Sequence, residues 1–304
     1  EVTSKRMNPT FMNIDADFNK EYYDQGYLPA TMGCRTYLMK NINGEPGCKG
    51  RGNIAPITIN LPRIGIEANK DIDKFFQILE ERLILSKEAL LHRYSVLKNL
   101  RVKDLPFVAG QGLMKGSEGL EAEDSIEPIL KQGTWGIGFI GLAETLYSLL
   151  GCHHGESQEA RELGLRIVGF IREYTDRLIE ETKLNWSCYA TPAEGLSGKF
   201  IKKDKKIFGI IKGVTDKEYY TNSFHIPVNY NISIKDKIDI EDMIAGETIS
   251  KPMTKASGVV GDAVEALTAL GYSQTMAYQA IKSIENVDGM DVEEILKKAL
   301  KNIF

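Results

Sequence analysis

The chain has 304 residues, 42% hydrophobic and 26% charged, with a formal net charge of -4, an ordinary globular balance with enough apolar material for one large domain or two smaller ones. Nothing in that balance suggests a basic nucleic-acid surface, and no run reaches the roughly 18 apolar residues of a membrane helix. Residues Glu1 to Asn8 hold no apolar signal core and no initiator Met, so the expectation is a cytoplasmic chain that is a fragment.

Residues 1 to 55 are rich in Gly, Asn, Pro and Tyr and read as loop, with one short strand near Thr36 to Met39. Ile57, Ile59 and Leu61 alternate with polar residues and predict a strand. From Asp71 to about Asn99, Ile72, Phe75, Phe76, Leu79, Leu83, Ala89, Leu90 and Tyr94 recur near helical spacing between charges, the pattern of a long amphipathic helix. A loop follows to Gly116–Gly119. Thr134 to Phe139 reads as a Gly-rich strand, Leu142 to Leu150 as a helix, and Gln158 to Glu181 as an amphipathic helix with Ile167, Ile171, Leu178 and Ile179 inward. Trp186 to Tyr189 reads as a strand entering the turn Thr191-Pro192-Ala193-Glu194-Gly195. Lys202 to Lys206 reads as a basic surface loop, and Tyr219 to Tyr230 as strand and loop. Strands alternating with helices predict an α/β domain.

The texture changes near Met243. Ala245 to Gly258 is small, polar and broken by Pro252, and reads as a linker. Three short helices are predicted beyond it. The first runs from Gly261 to Leu270 and is closed by Gly271. The second runs from Ser273 to Ser283 with Ser273 as N-cap. The third runs from Val292 to Ile303 with Asp291 and Glu294 as a capping box. Val264, Leu267, Leu270, Tyr272, Ala277, Ile281, Ile295, Leu296 and Leu300 would make one small core. The expected division is 1–241, a linker over 242–258, and an all-α domain over 259–304.

Four cysteines stand far apart at 34, 48, 152 and 188 with no C-x-x-C pair, which excludes a zinc ribbon and gives no disulfide framework. Cys152-His153-His154 lacks a second Cys or His pair to complete a metal site and reads as a solvent-facing helix end; no metal is expected. Cys48 is taken as incidental, His225 as a loop-positioning residue and His92 as structural. Gly136-x-Gly138 lacks the rest of a dinucleotide fingerprint. The run Thr191 to Ser197, a strand end, a Pro-Ala turn and a helix start, would leave backbone N–H groups facing outward to hold a phosphate. An ordinary Pro-initiated helix cap reads the same residues equally well. Asn53, Asn60 and Asn222 could hydrogen-bond ribose hydroxyls or serve as turn and sheet-end asparagines.

Four segments occur in a family's order. They are Met32-Gly33-Cys34-Arg35 followed by Gly50-Arg51-Gly52-Asn53 and Thr58-Ile59-Asn60-Leu61-Pro62-Arg63, then Gly133 to Leu142, then Ala190 to Phe200, then Tyr219 to Val228. In this order they resemble the catalytic barrel of the oxygen-sensitive, glycyl-radical (anaerobic) ribonucleotide reductases. The resemblance implies a partial α/β barrel of the glycyl-radical reductase type over residues 1–241. It implies that Cys34, on a loop inside the barrel, becomes a thiyl radical and abstracts the hydrogen on the ribose 3′ carbon. It also implies that Thr191, Pro192, Ala193, Glu194, Gly195 and Ser197 hold the substrate phosphates, and that Asn53, Asn60 and Asn222 lie near the ribose. Arg35 would anchor the loop. The substrate would be a ribonucleotide. The radical would come from a radical S-adenosylmethionine activase, and the electrons from formate or a thiol protein.

The family's Arg-x-Cys-Gly-Tyr motif and the four-cysteine zinc site before it do not occur in these 304 residues. The chain alone is therefore expected to bind no cofactor and to be inactive. Asp262 to Ser273 and Val292 to Leu300 resemble the C-terminal domain of RuvA, with an Ala-Leu-x-x-Leu-Gly-Tyr element shared by ubiquitin-associated-type three-helix domains. That resemblance implies docking on a RuvB-type ATPase without direct nucleic-acid contact, in Holliday-junction recombination and repair. This is the alternative function, and a junction inside Ile234 to Glu241 would suit a chimeric reading frame.

Overall fold

The computed structural model describes residues 14–15, 17–32, 36–37, 39–193, 195–248, 263, 266–267, 280–281, 284 and 290–303. The chain divides into two compact units, Glu1–Ser250 and Lys251–Phe304.

The first unit opens with helix α1 (Asp17–Asp24) and a two-stranded antiparallel pair, β1 (Thr31–Met32) and β2 (Thr36–Tyr37). Its centre is a parallel sheet in the order β3 (Asn53–Asn60), β4 (Thr134–Ile140), β5 (Asn185–Ala190). Parallel neighbours need long crossovers. Helices α2 (Leu61–Ala68), α3 (Ile72–Leu97) and α4 (Glu127–Gln132) lie between β3 and β4, and α5 (Leu142–Leu150) and α6 (Gln158–Thr182) between β4 and β5. Helices α7 (Leu196–Phe208) and α8 (Ile234–Thr248) follow.

Every residue of β4 is buried, as expected for the middle strand of a parallel sheet. On one face Ala55, Ile59, Trp135, Ile137, Phe139, Trp186 and Cys188 join a single core with α3 and α6. Phe75, Leu79, Leu83 and Leu90 of α3 are fully buried, each worth about 1.5–3 kcal/mol. Ser86 falls on that stripe and donates its hydroxyl to the Arg82 carbonyl at 2.7 Å, which satisfies it inside the helix. The helix starts where the sequence places it: Asp71 accepts from the Lys74 N–H at 2.9 Å. Likewise Ser157 caps α6 through the Ala160 N–H at 3.1 Å.

Several elements differ from expectation. Leu61 begins α2 rather than ending a strand, because Asn60 caps that helix and Pro62 sits in its first turn. The short helix α1 lies where loop is predicted, and α4 falls after the loop that ends near Gly119, where no element is predicted. Lys202–Lys206 is helical, since Ile201 and Asp204 are buried and the lysines ride the outer face of α7. No strand forms over Tyr219–Tyr230; its residues turn over the end of the sheet. Residues 242–248, read as linker, are the end of α8, with Ile240, Ile244 and Glu247 buried. There Arg172 of α6 bonds Glu247 at 3.1 Å and Asp176 at 2.9 Å. Burial works against the Arg172 charge, but the carboxylates of Glu247, Asp176 and Glu173 raise its pKa above the ordinary value.

In the second unit Ala263, Leu267, Ala280, Ile281, Ile284, Ile295 and Ala299 are buried together. Helix α9 (Val292–Ile303) is capped by Asp291, which accepts from the Glu294 N–H at 2.9 Å. Leu267, Ile281 and Ile295 thus take their predicted core places, and Leu296 and Leu300 pack on them; Val264, Leu270, Tyr272 and Ala277 lie outside the described residues. Among the described residues no helix is long and apolar enough to cross a membrane, and no group of three or more His, Cys, Asp or Glu could hold a metal ion.

Candidate functional site

Side chains alternate across a strand, so the face of the sheet turned away from α3 and α6 carries the other residue set. In register across the strands it holds Pro56, Gly136 and Ser187, then Thr58, Gly138 and Tyr189. The two glycines are a clearing for Tyr189. A Cβ on Gly136 would stand 2.8 Å from its ring, and one on Gly138 2.7 Å from the ring and 2.1 Å from Thr191 Oγ1. The ring therefore lies across β4. Thr58 and Thr191 hydroxyls are 3.1 Å apart, and the Tyr189 phenol bonds to both; burial holds that phenol above its ordinary pKa. Three hydroxyls thus meet on a glycine floor at the carboxyl-end half of a parallel sheet, the end at which such sheets place ligands.

That end is closed by α7. Its N-cap, Gly195, offers no side-chain cap, and the first turn holds no acidic residue; the Ser197 N–H turns back to the Ala193 carbonyl at 3.2 Å, and the helix dipole favours an anion at this end. Ser197, inside that first turn, is buried. Pro192 and Ala193 lead into it, with Ala193 buried beside Ile140, Ile201 and Tyr220. Buried Asp204 fixes the rotation of α7. It accepts from Asn60 Nδ2 at 2.8 Å, Arg63 Nε at 2.7 Å and the Tyr220 hydroxyl at 2.8 Å, and forms a short contact with Arg63 Nη2. Buried Glu144 accepts from Lys217 at 2.8 Å and the Thr221 hydroxyl at 2.7 Å. It thereby holds the 219–226 segment over the β4–α5 turn, where the Gly141 and Leu142 N–H groups donate to Thr221 and Ser223 carbonyls.

The predicted site residues separate into groups. Thr191, Pro192, Ala193, Gly195 and Ser197 come together at the start of α7. Asn60 lies nearby, but its oxygen caps α2 and its nitrogen holds Asp204. Asn53 starts β3, about 23 Å along the strand from Asn60, and its Oδ1 takes a 3.4 Å contact from the Thr134 hydroxyl at the amino end of the sheet. Asn222 Oδ1 and the Ser223 hydroxyl are buried without a hydrogen-bond partner, and Ser223 has φ +43°. The segment thus joins a left-handed backbone position to polar atoms without partners. Cys34, Arg35 and Glu194 lie outside the described residues. Sequence reasoning missed Tyr189, Thr58 and Asp204. The available signal was Gly136-x-Gly138, since glycines inside a buried strand mark a close neighbour.

His153 and His154 are buried, which overturns the solvent-facing reading; the loop after α5 folds under the 224–230 segment, where His153 packs edge-on against Tyr230. Burial and the neighbouring His153 push the His154 pKa down to about 4. The unfolded chain takes this proton near pH 6.5. His154 therefore costs no stability above that pH, and about 3 kcal/mol should be lost as pH falls from 6.5 to about 4. Urea unfolding of His154→Phe across that range should show a flatter pH profile; an unchanged slope would remove His154 as the cause. His225 bonds Glu241 at 3.1 Å, and Glu241 also accepts from the Ile226 N–H, a loop-positioning contact. His92 is exposed. Cys188 is buried, and burial pushes its thiol pKa far up. A cleft of about 270 Å³ between α5 and the 212–217 and 227–230 segments holds none of the predicted site residues.

The profile of a family described as anaerobic ribonucleoside-triphosphate reductase matches residues 1–250, and that of RuvA, C-terminal domain, matches residues 258–303. The anaerobic ribonucleoside-triphosphate reductase of Escherichia coli (strain K12) is 39% identical over 248 residues, which cover 79% of this chain and 34% of that protein. The chain thus spans about a third of the length of this relative. The Holliday junction branch migration complex subunit RuvA of Lachnospira eligens is 36% identical over 80 residues, covering 24% of this chain and 38% of that protein. The anaerobic ribonucleotide reductase of Thermotoga maritima, solved with citrate in the active site, superposes with a TM-score of 0.52 at 22% identity, over 74% of this chain and 39% of that one. That likeness is one of fold.

Proposed function

The chain belongs to the anaerobic ribonucleoside-triphosphate reductase family, and from that membership we propose that its first unit is a segment of a catalytic barrel that reduces ribonucleotides to deoxyribonucleotides. The observation that carries this reading is the glycine-cleared, hydroxyl-lined face of the parallel sheet, closed at its carboxyl end by the uncapped start of α7. The substrate phosphates lie on the backbone between Ala193 and Ser197, with no acidic residue in the first turn of α7 itself. The ribose lies toward Thr191 and Asn222, whose unpartnered Oδ1 suits a sugar hydroxyl donor. Asn60 acts through Asp204 and not on the sugar, and Asn53 supports the far end of the sheet. Cys34 is the thiol that exchanges a hydrogen atom with the ribose 3′ carbon. The family's glycyl radical, raised by a radical S-adenosylmethionine activase, supplies the unpaired electron. The motif that carries it is not among these 304 residues, so any assay must supply it, together with formate or a thiol protein as reductant.

In domain terms, we place the reductase segment through α8, a linker after Thr248, and a RuvA-like three-helix domain to the end of the chain. The second reading rests on that tail: its own compact core and its profile match favour docking on a RuvB-type ATPase without direct contact to nucleic acid.

A ribonucleoside triphosphate at about 100 times its dissociation constant should stabilise the first unit by about 2.7 kcal/mol, read as a rise in Tm, and Thr191→Val should weaken that shift. With the radical-bearing segment supplied, Cys34→Ser should abolish deoxyribonucleotide formation. A flat Tm with every ribonucleotide, beside capture of a RuvB-type ATPase by the chain, would leave only the second reading.

A further inference from the structure

Two surfaces of the first unit carry opposite charge, and each lies beside exposed apolar side chains. Residues 196–217 hold seven lysines and two aspartates in a chain whose net charge is -4. One of the aspartates, Asp204, is buried against Arg63. Lys217 is taken up by Glu144 at 2.8 Å, and Lys205 donates to the Lys217 carbonyl. Lys199, Lys202, Lys203 and Lys206 are exposed and fall at i, i+3, i+4 and i+7 of α7, on one stripe of its outer face. Among the described residues none of these four pairs with a carboxylate. Like charges at such spacings work against a helix, and a negative surface laid on the stripe would relieve them. The stripe runs on into Ile207 and Ile210, both exposed. They are held outward by a pinned turn: Gly209 closes α7 at φ +76°, and the buried Thr215 hydroxyl donates to the Gly209 carbonyl at 2.8 Å and accepts from the Ile211 N–H at 2.7 Å.

The counterpart lies at the other end of the sheet. Residues 116–127 hold five acidic residues and no basic one. Glu118, Glu121, Glu123 and Asp124 are exposed. Among the described residues only Glu123 of these four forms an ion pair, an exposed one with Lys103. The neighbouring turn exposes Leu105, Phe107, Val108 and Leu113. It cannot fold them inward. The Leu105 carbonyl accepts from the Ala109 N–H at 2.9 Å, Ala109 is fixed in the core, and a Cβ added to Gly110 would stand 2.5 Å from the Pro106 carbonyl oxygen. Exposed apolar side chains grouped and rimmed by charge are the mark of a protein contact.

The two surfaces belong to one unit but cannot meet within it. The acidic loop is tied to the amino end of the sheet, where the Lys115 N–H donates to the Gly50 carbonyl at 2.7 Å. Helix α7 closes the carboxyl end, and the seven residues of β4 between them span about 23 Å.

We propose that α7 of one copy of this chain docks on the 105–124 surface of a second copy. The lysine stripe and the acidic loop steer the pair and set its register, while Ile207 and Ile210 meet Phe107 and Leu113 in the desolvated centre. Both sides are pinned turns, so little ordering is lost on contact. Two different surfaces meet, so the contact is head-to-tail and either closes into a ring or continues as a filament.

Sedimentation velocity of the full 304-residue chain reads the association. It should grow with protein concentration at about 50 mM salt and weaken at least about tenfold at about 500 mM, where exposed charges are screened. Lys202→Glu with Lys203→Glu should abolish it, and so should Glu121→Lys with Glu123→Lys. An equimolar mixture of the two variants should associate again, because an intact basic face then meets an intact acidic one. Should either reversal not fold, Lys202→Gln with Lys203→Gln, which keeps good helix formers in α7, should weaken the parent association without abolishing it. A parent chain that stays monomeric at about 50 mM salt would overturn the proposal. Association that survives either reversal would do the same, by placing the contact on another face, as would a mixture of folded variants that stays monomeric. Binding of a single-stranded oligonucleotide by a parent that does not self-associate would give the stripe to nucleic acid instead.

Discussion

Asp204→Ala should lower the unfolding free energy of the first unit by about 3–5 kcal/mol, the range for breaking a buried, hydrogen-bonded ion pair by removing one partner. The carboxylate is fully buried and serves Asn60, Arg63 and Tyr220 at once. Its loss strands the half-buried Arg63 guanidinium and the fully buried Tyr220 hydroxyl, whose pKa burial and Asp204 together hold far above the ordinary value. It also frees α7 to rotate, so if the start of α7 is the phosphate site proposed above, the rise in Tm expected with nucleotide should shrink. Urea unfolding measures the first effect. A double-mutant cycle with Arg63→Ala should show strong non-additivity, because one network is broken twice. A loss under 1 kcal/mol for Asp204→Ala, or additive single effects, would mean that water already satisfies the site.

Gly138→Ala should cost at least about 3 kcal/mol, the top of the range for overpacking a filled site, and should remove the nucleotide response. The added methyl meets Thr191 Oγ1 at 2.1 Å and the Tyr189 ring at 2.7 Å. The Thr191 hydroxyl is held by Thr58, and the ring already lies close over Gly136, where an added Cβ would also meet it, at 2.8 Å. Gly195→Ala is the control. That glycine has negative φ and nothing within 4 Å of an added Cβ, so the exchange should stay within about 0.5 kcal/mol. Chemical denaturation of both variants decides the matter. Equal, small effects would mean that Tyr189 swings off the sheet at little cost.

The hydrogen-bond partners explain why the site was only partly legible. Thr191 to Ser197 could be read directly, because a strand end, a Pro-Ala turn and a helix start are local events. Asn60 could not. Its role depends on Asp204, 144 positions away, and an aspartate in a lysine-rich stretch carries no sign of burial until Arg63 and Tyr220 are brought to it. The same holds for His153 and His154, which look like an exposed polar end until the 224–230 segment closes over them. Residues 242–248 looked like linker because their composition is small and polar; Glu247 becomes a core residue only opposite Arg172.

By itself the sequence determined the elements whose signal repeats within a few turns: α3 with its Phe75, Leu79, Leu83 and Leu90 stripe, α5, α6, the buried strand β4, and the capped helix α9. It also determined the family, because four motifs in one order are a pattern that no single loop could produce by chance. Only the tertiary structure decided which face of the sheet is open, that Tyr189 lies across the two glycines, that Asp204 anchors α7 at the carboxyl end of the sheet, and that α8 belongs to the first unit. The physical reason is one of range. Helical and strand periodicity record burial against a neighbour of unknown identity, whereas a buried polar group is stable only with a particular partner, and that partner is supplied by parts of the chain that meet after folding.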